Sequence, residues 1–333
     1  MSPAVLDYAV AAILWSAVIA YAVFAGADFG GGIWDLLATG PRGEVQRRSV
    51  SRAMGPVWEA NHVWLIFMIT GLFTAFPATF ATLAVGLYLP FSLAALGIVL
   101  RGAAFAFRAH ARDVGREAFG RAFGIASAAT PFVLGACAGA VAAGRVRPVG
   151  GDLLAPWTTP FALACGALAL SICAGLAAAY LTVEEDALGH PALTEDFRRR
   201  ALLAGGASTV IALVTLPLTR IEAPALLDGL LGRALPLTLL TAGLAIAAGA
   251  AMLRRRYRLA RLAAAGQVAA LLGAWAFAQA PYLVPPNLSV EGTAAQPQVI
   301  GALLVVYALG GALLVPSLIL LFRVFKGRNP AAL

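Results

Sequence analysis

The chain has 333 residues, 61% of them hydrophobic and only 12% charged, with a mean hydropathy of +0.85. That composition excludes a soluble globular domain and identifies an all-α integral membrane protein. A formal net charge of +8 would suit a nucleic-acid binder, but the basic residues follow membrane topology, so no nucleic-acid partner is expected.

Nine apolar runs, each near the ~20 residues a helix needs to cross a bilayer, fall at 8–27, 57–76, 78–100, 122–143, 160–183, 201–219, 234–253, 262–284 and 299–322. They form a single transmembrane domain over 1–333. The start, MSPAVLDYAV, lacks the basic stretch of a cleavable signal, so the first run is expected to be the first span. It gives way to GADFGGGIWDLL, which lacks the preceding strand and GxGxxG spacing of a nucleotide loop; its glycines suit close helix packing.

The second run opens with GPVWEANHVW, Gly55 to Trp64, and is separated from the third by little more than Phe76 and Pro77, which predicts a tight hairpin. LRGAAFAFR ends the third run, where Arg101 and Arg108 are expected to snorkel toward lipid head groups. Cys137, Cys165 and Cys173 lie in later runs without CxxC spacing and fit small core residues. The longest connection, 183–201 (VEEDALGHPALTEDFRRRA), predicts a solvated loop with a short surface helix. WAFAQAPYLVPPNLSVEGTAAQP closes the eighth span as an external turn rich in proline and aromatic residues.

Of the 24 Lys and Arg residues, 20 fall in alternate connections and the C-terminal tail; the other 4 are Arg145, Arg147, Arg220 and Arg233. By the positive-inside rule the N-terminus is outside and the C-terminus cytoplasmic. Asp28 then ends span one, and Glu59 begins span two, at the same cytoplasmic end.

Around an ideal helix Glu59 and His62 lie about 60° apart, and Asn61 roughly 100° from His62, so the three share a broad polar face. Trp64 projects to nearly the opposite side, toward lipid or a partner. Glu59 has a plain explanation as a first-turn acid favoured by the helix dipole. Ionisable groups inside a span are nevertheless functional candidates, and protonatable groups reaching inward from the cytoplasm are what a proton relay requires. His62, His110 and His190 are the only histidines, and the last two fall in connections. One membrane histidine cannot build a multi-haem centre, so any haem must be ligated mainly by another subunit.

GADFGGGIWDLL, GPVWEANHVWLI, LRGAAFAFR, WAFAQAPYLVP and LLVPSLILLFRVFK together resemble subunit II of the cytochrome bd quinol oxidases, in order and spacing, from Tyr21 to Lys326. The resemblance implies nine transmembrane helices, arranged as two four-helix bundles plus one peripheral helix. It also implies a non-haem subunit of an electrogenic terminal oxidase in a bacterial or archaeal cytoplasmic membrane. Subunit I is then the partner, carrying two b haems and haem d or a third b haem; quinol is the substrate of the complex. Small accessory subunits, lipids and quinone are further expected partners, and no metal or cofactor is ligated by this chain.

Carried over by position, Asp28 and Glu59 are candidate proton-relay acids, supported by Trp58, Asn61, His62, Trp64 and Arg101. The chain departs from the family pattern at Ala25, His62 and Ala106, where relatives carry acidic or amide groups. Two other classes fit the residues less well. A proton-coupled transporter would show broken midplane helices and two related halves, and a purely structural scaffold would carry no proton role. A reporter fused after Leu333 is expected to read as cytoplasmic, and one inserted at Gly292 as external; the reverse pattern would place Asp28 and Glu59 at the outer face.

Overall fold

The structure, a computed structural model, describes residues 2–108, 113–147 and 152–326; for 54–60, 113, 114, 315, 318 and 321–326 it describes the backbone alone. Helices α1 (Pro3–Leu36), α2 (Gly43–Ala75), α3 (Pro77–Gly86), α4 (Tyr88–Arg108), α5 (Asp113–Ala142) and α6 (Pro160–Ala187) are followed by α7 (Pro191–Glu222), α8 (Pro224–Leu231), α9 (Leu235–Leu253) and α10 (Tyr257–Gln279). A small hairpin, β1 (Tyr282–Val284) and β2 (Leu288–Ser289), leads through α11 (Val290–Thr293) to α12 (Pro297–Lys326).

Among the described residues, 8 helices are long and apolar enough to cross a membrane. The ninth candidate is Asn61–Ala75 with Pro77–Gly86, bent by 118°. Proline at the first positions of α3 and α7 starts each helix where a missing backbone N–H costs nothing. Gly189, at φ +72°, ends α6. Its N–H and that of His190 donate back to the carbonyls of Asp186 (3.1 Å) and Glu185 (3.0 Å).

Four expected boundaries change. Apolar runs mark only the lipid-facing part of each helix, and the helices continue beyond them. α1 extends to Leu36, so Asp28 lies inside the helix and not at its end. α2 begins at Gly43, which puts Glu59 deep in its interior and removes the first-turn explanation for that acid. The expected span 78–100 is divided at Leu87, between α3 and α4. The connection over 183–201 is not a solvated loop: α6 runs to Ala187 and α7 starts at Pro191. Its Glu185 is buried.

α1 and α6 pack at the centre, and the glycines of GADFGGGIW explain how closely. A Cβ on Gly30 would overlap the carbonyl of Cys173 in α6, and one on Gly32 would overlap the Ser127 side chain in α5. Trp34 follows, its Nε1 donating to the Ala174 carbonyl at 2.8 Å. Around it Ile33, Val50, Ala177, Leu181 and Phe197 form the largest buried cluster. At the other end of the bundle the β hairpin segment covers the α2–α3 corner, where the Ala295 N–H donates to the Ala75 carbonyl at 2.8 Å and Thr79 donates to Thr293 at 3.0 Å.

Gly30→Ala is expected to lower stability by about 1–3 kcal/mol, because α6 backbone has no way to yield to the added methyl. Gly243→Ala in α9, where an added Cβ meets nothing within 4 Å, is expected to stay within about 0.5 kcal/mol of the parent. Thermal unfolding of the purified protein checks both.

Candidate functional site

Inside the bundle, Asp28 is fully buried and both its carboxylate oxygens are occupied. Oδ1 accepts from Arg101 Nη2 at 2.5 Å, and Oδ2 accepts from Asn61 Nδ2 at 2.8 Å. Arg101 Nη2 also reaches the Asp28 carbonyl at 3.3 Å, and its Nε donates to Ser127 Oγ at 3.0 Å. The guanidinium is held between aromatic faces, 5.3 Å from the Phe29 ring centroid and 4.9 Å from that of Phe123. One charged pair thus ties four helices, α1, α2, α4 and α5.

Arg101 does not snorkel. It is only 3% exposed, because a carboxylate, a hydroxyl and two rings offer it more inside the bundle than head groups do outside. Arg108 turns inward too, its Nη1 donating to Asp35 Oδ2 at 2.8 Å. The two pairs are separated by seven residues on both helices, close to two full turns, so the rungs stack along one face of each. Because both residue numbers rise together, α1 and α4 run parallel.

The sequence candidates fall into three groups. Asp28, Asn61 and Arg101 come together as described. His62 is half-buried and within electrostatic range of Asp28. Trp64 is half-buried, and its indole N–H is sealed from solvent without a hydrogen-bond partner among the described residues. Glu59 and Trp58 belong to α2, but their side chains lie outside the described residues. His110 also lies outside them.

Sequence reasoning missed a second polar tier beside the first. Buried Glu185 accepts from Ser49 at 2.5 Å, from Arg52 at 2.7 Å and faces His190 Nδ1 at 2.7 Å. Asp196 accepts from Arg42 Nη2 and Nε at 2.7 and 2.8 Å and from the Gln46 amide at 2.9 Å. This tier clamps the start of α2 to the α6–α7 turn. The matching seven-residue spacing of Asp28/Asp35 and Arg101/Arg108 was a signal for the two rungs of the first tier; nothing comparable marks Glu185 or Asp196.

Comparison with known proteins gives concordant results. A family model described as cytochrome bd terminal oxidase subunit II matches residues 6–325. A putative cytochrome bd menaquinol oxidase subunit II of Bacillus subtilis is 24% identical over 329 residues, covering 94% of this chain and 93% of that protein. A cytochrome bd ubiquinol oxidase subunit 2 of the same organism is 43% identical over 65 residues, 20% of this chain and 19% of that protein. The structure of bd oxidase from Geobacillus thermodenitrificans contains a chain 25% identical with a TM-score of 0.82, covering 98% of this chain and 100% of that one.

Cutting one partner from the central pair leaves a buried charge alone. Arg101→Met is expected to destabilise by about 3–5 kcal/mol, and Asp28→Leu with Arg101→Met together by much less, since an apolar pair leaves nothing orphaned. The coupling shows as a non-additive double-mutant cycle in thermal unfolding of the purified protein.

Proposed function

The chain belongs to the cytochrome bd terminal oxidase subunit II family, and from that membership we propose how it serves the oxidase. It is the non-haem membrane subunit of a complex that oxidises quinol and reduces oxygen to water. Subunit I carries the haems. The residues present here do not fit a haem: His62 is the single histidine within an apolar run, and Asp28, the described acid coupled to it, is already taken by Arg101 and Asn61. The two Bacillus subtilis relatives are named for different quinols, ubiquinol and menaquinol.

The observation that carries a proton role is the polar stripe of α2 set against a fixed charge pair. Asn61 faces the bundle and is oriented by its bond to Asp28, while His62 is the next residue on the same helix and position 59 stands about 60° from it around the axis. Both oxygens of Asp28 already accept from Arg101 and Asn61, so in this reading its part is electrostatic: it holds Asn61 and, with Arg101, supplies a polar wall. Glu59 and His62 are then the groups that pass protons, entering from the cytoplasmic end. This narrows the relay expected from sequence, in which Asp28 also titrated.

Glu59→Gln keeps shape and hydrogen bonding and removes the titratable proton. The assembled variant is expected to keep the parental haem spectrum while quinol-dependent oxygen consumption falls at least about ten-fold. Asp28→Asn is expected to lower the yield of assembled complex more than the turnover of what assembles. Normal turnover in Glu59→Gln would remove the relay and leave the scaffold role.

A further inference from the structure

Where the α1–α2 connection meets the start of α7, a notch of about 290 Å³ is lined by Thr39, Arg42, Gln46, Asp196, Arg199 and Arg200. Its charge is unbalanced. Asp196 is spent on Arg42, while Glu195 is shared among Arg198, Arg199 and Arg255. Of the notch's own lining, three guanidinium groups, Arg42, Arg199 and Arg200, face the single carboxylate of Asp196. Arg200 makes no ion pair among the described residues: it donates to Gln46 Oε1 at 2.7 Å, lies 5.1 Å from the Trp34 ring centroid, and keeps a buried Nη1 without a hydrogen-bond partner.

The surface beneath the notch is oily. From Arg199, positions four, eleven and fourteen residues on share its helix face, and these are Leu203, Val210 and Leu213, exposed by 72%, 60% and 61%. Gly206, seven residues on, has open space where a side chain would stand and so leaves a groove in that stripe.

We propose that this notch holds the phosphate of an anionic phospholipid of the phosphatidylglycerol class, with one acyl chain running along the α7 stripe. A phosphodiester supplies the missing negative charge and accepts from planar guanidinium forks in the geometry they favour. Basic pockets between spans on one side of a membrane are the usual setting for such head groups. The alkyl track distinguishes a lipid from free phosphate, which would use the notch alone. The site shares Gln46 and Asp196 with the clamp at the start of α2 and does not require Glu59 or His62 to pass protons.

The test uses the complete oxidase complex in phosphatidylcholine nanodiscs. It is labelled with photoreactive phosphatidylglycerol, or with photoreactive phosphatidylcholine bearing the same diazirine acyl chain. The phosphatidylglycerol probe is expected to label residues 201–214 at least about ten-fold more than the phosphatidylcholine probe, and Arg42→Gln with Arg199→Gln to abolish that preference. Millimolar inorganic phosphate is expected to leave the labelling in place. Equal labelling by both probes, an unchanged preference in the double variant, or displacement by inorganic phosphate would each overturn the proposal. Should the double variant fail to assemble, Leu203→Trp decides: it fills the alkyl track and leaves the arginines intact. Loss of labelling in that variant supports the site, and full labelling overturns it.

Discussion

The pairing of Asp28 with Arg101 is the constraint from which the rest of the bundle takes its arrangement. A lone carboxylate or guanidinium inside the membrane is costly; the two together, with Asn61, Ser127 and two aromatic faces, have nearly all their polar atoms matched. Such a pair tolerates little displacement. Two stacked rungs, Asp28–Arg101 and Asp35–Arg108, fix both the rotation of α4 and its height against α1. Parallel α1 and α4 need a single crossing between them. α2 supplies it, while α3, turned 118° from the end of α2, is free to lie at the corner.

Buried arginine–carboxylate contacts assemble one end of the molecule; at the other, hydroxyl and backbone contacts close the α2–α3 corner, and Arg145–Glu222 and Arg220–Asp228 pair nearer the surface. α2 links the two ends. Its 33 residues span about 50 Å at ~1.5 Å per residue, well beyond a ~30 Å hydrocarbon core. The excess emerges at the charged end, where Ser49 and Arg52 meet Glu185 and Gln46 meets Asp196. α2 is thereby held at two levels, by Asn61 within the bundle and by this clamp at its start.

Much of the all-α membrane fold was legible because burial in lipid and helix length both write themselves into apolar runs. The family was legible because five motifs stand in register. What escaped was anything decided by pairing across helices. Arg101 and Arg108 looked like ordinary span-ending arginines, since a sequence shows the cost of a buried charge and not the partner that cancels it. Glu185 stood in a stretch rich in charge and read as solvated, yet α6 continues past the apolar run and carries it inward. The reach of α2 was hidden for the same reason: its first turns are polar, and only their partners on α6 and α7 make them part of the fold.

The Asp28–Arg101 pair also sets an order of events during synthesis. Its members are 73 residues apart, and at about 5–20 residues per second the arginine leaves the ribosome roughly 4–15 s after the aspartate. α1 therefore enters the membrane before its counter-charge exists, and α2 brings Asn61 in the interval. The pair cannot guide the insertion of α1. It acts as a late latch, closing when α4 arrives and turning a loose set of inserted helices into a bundle of fixed register.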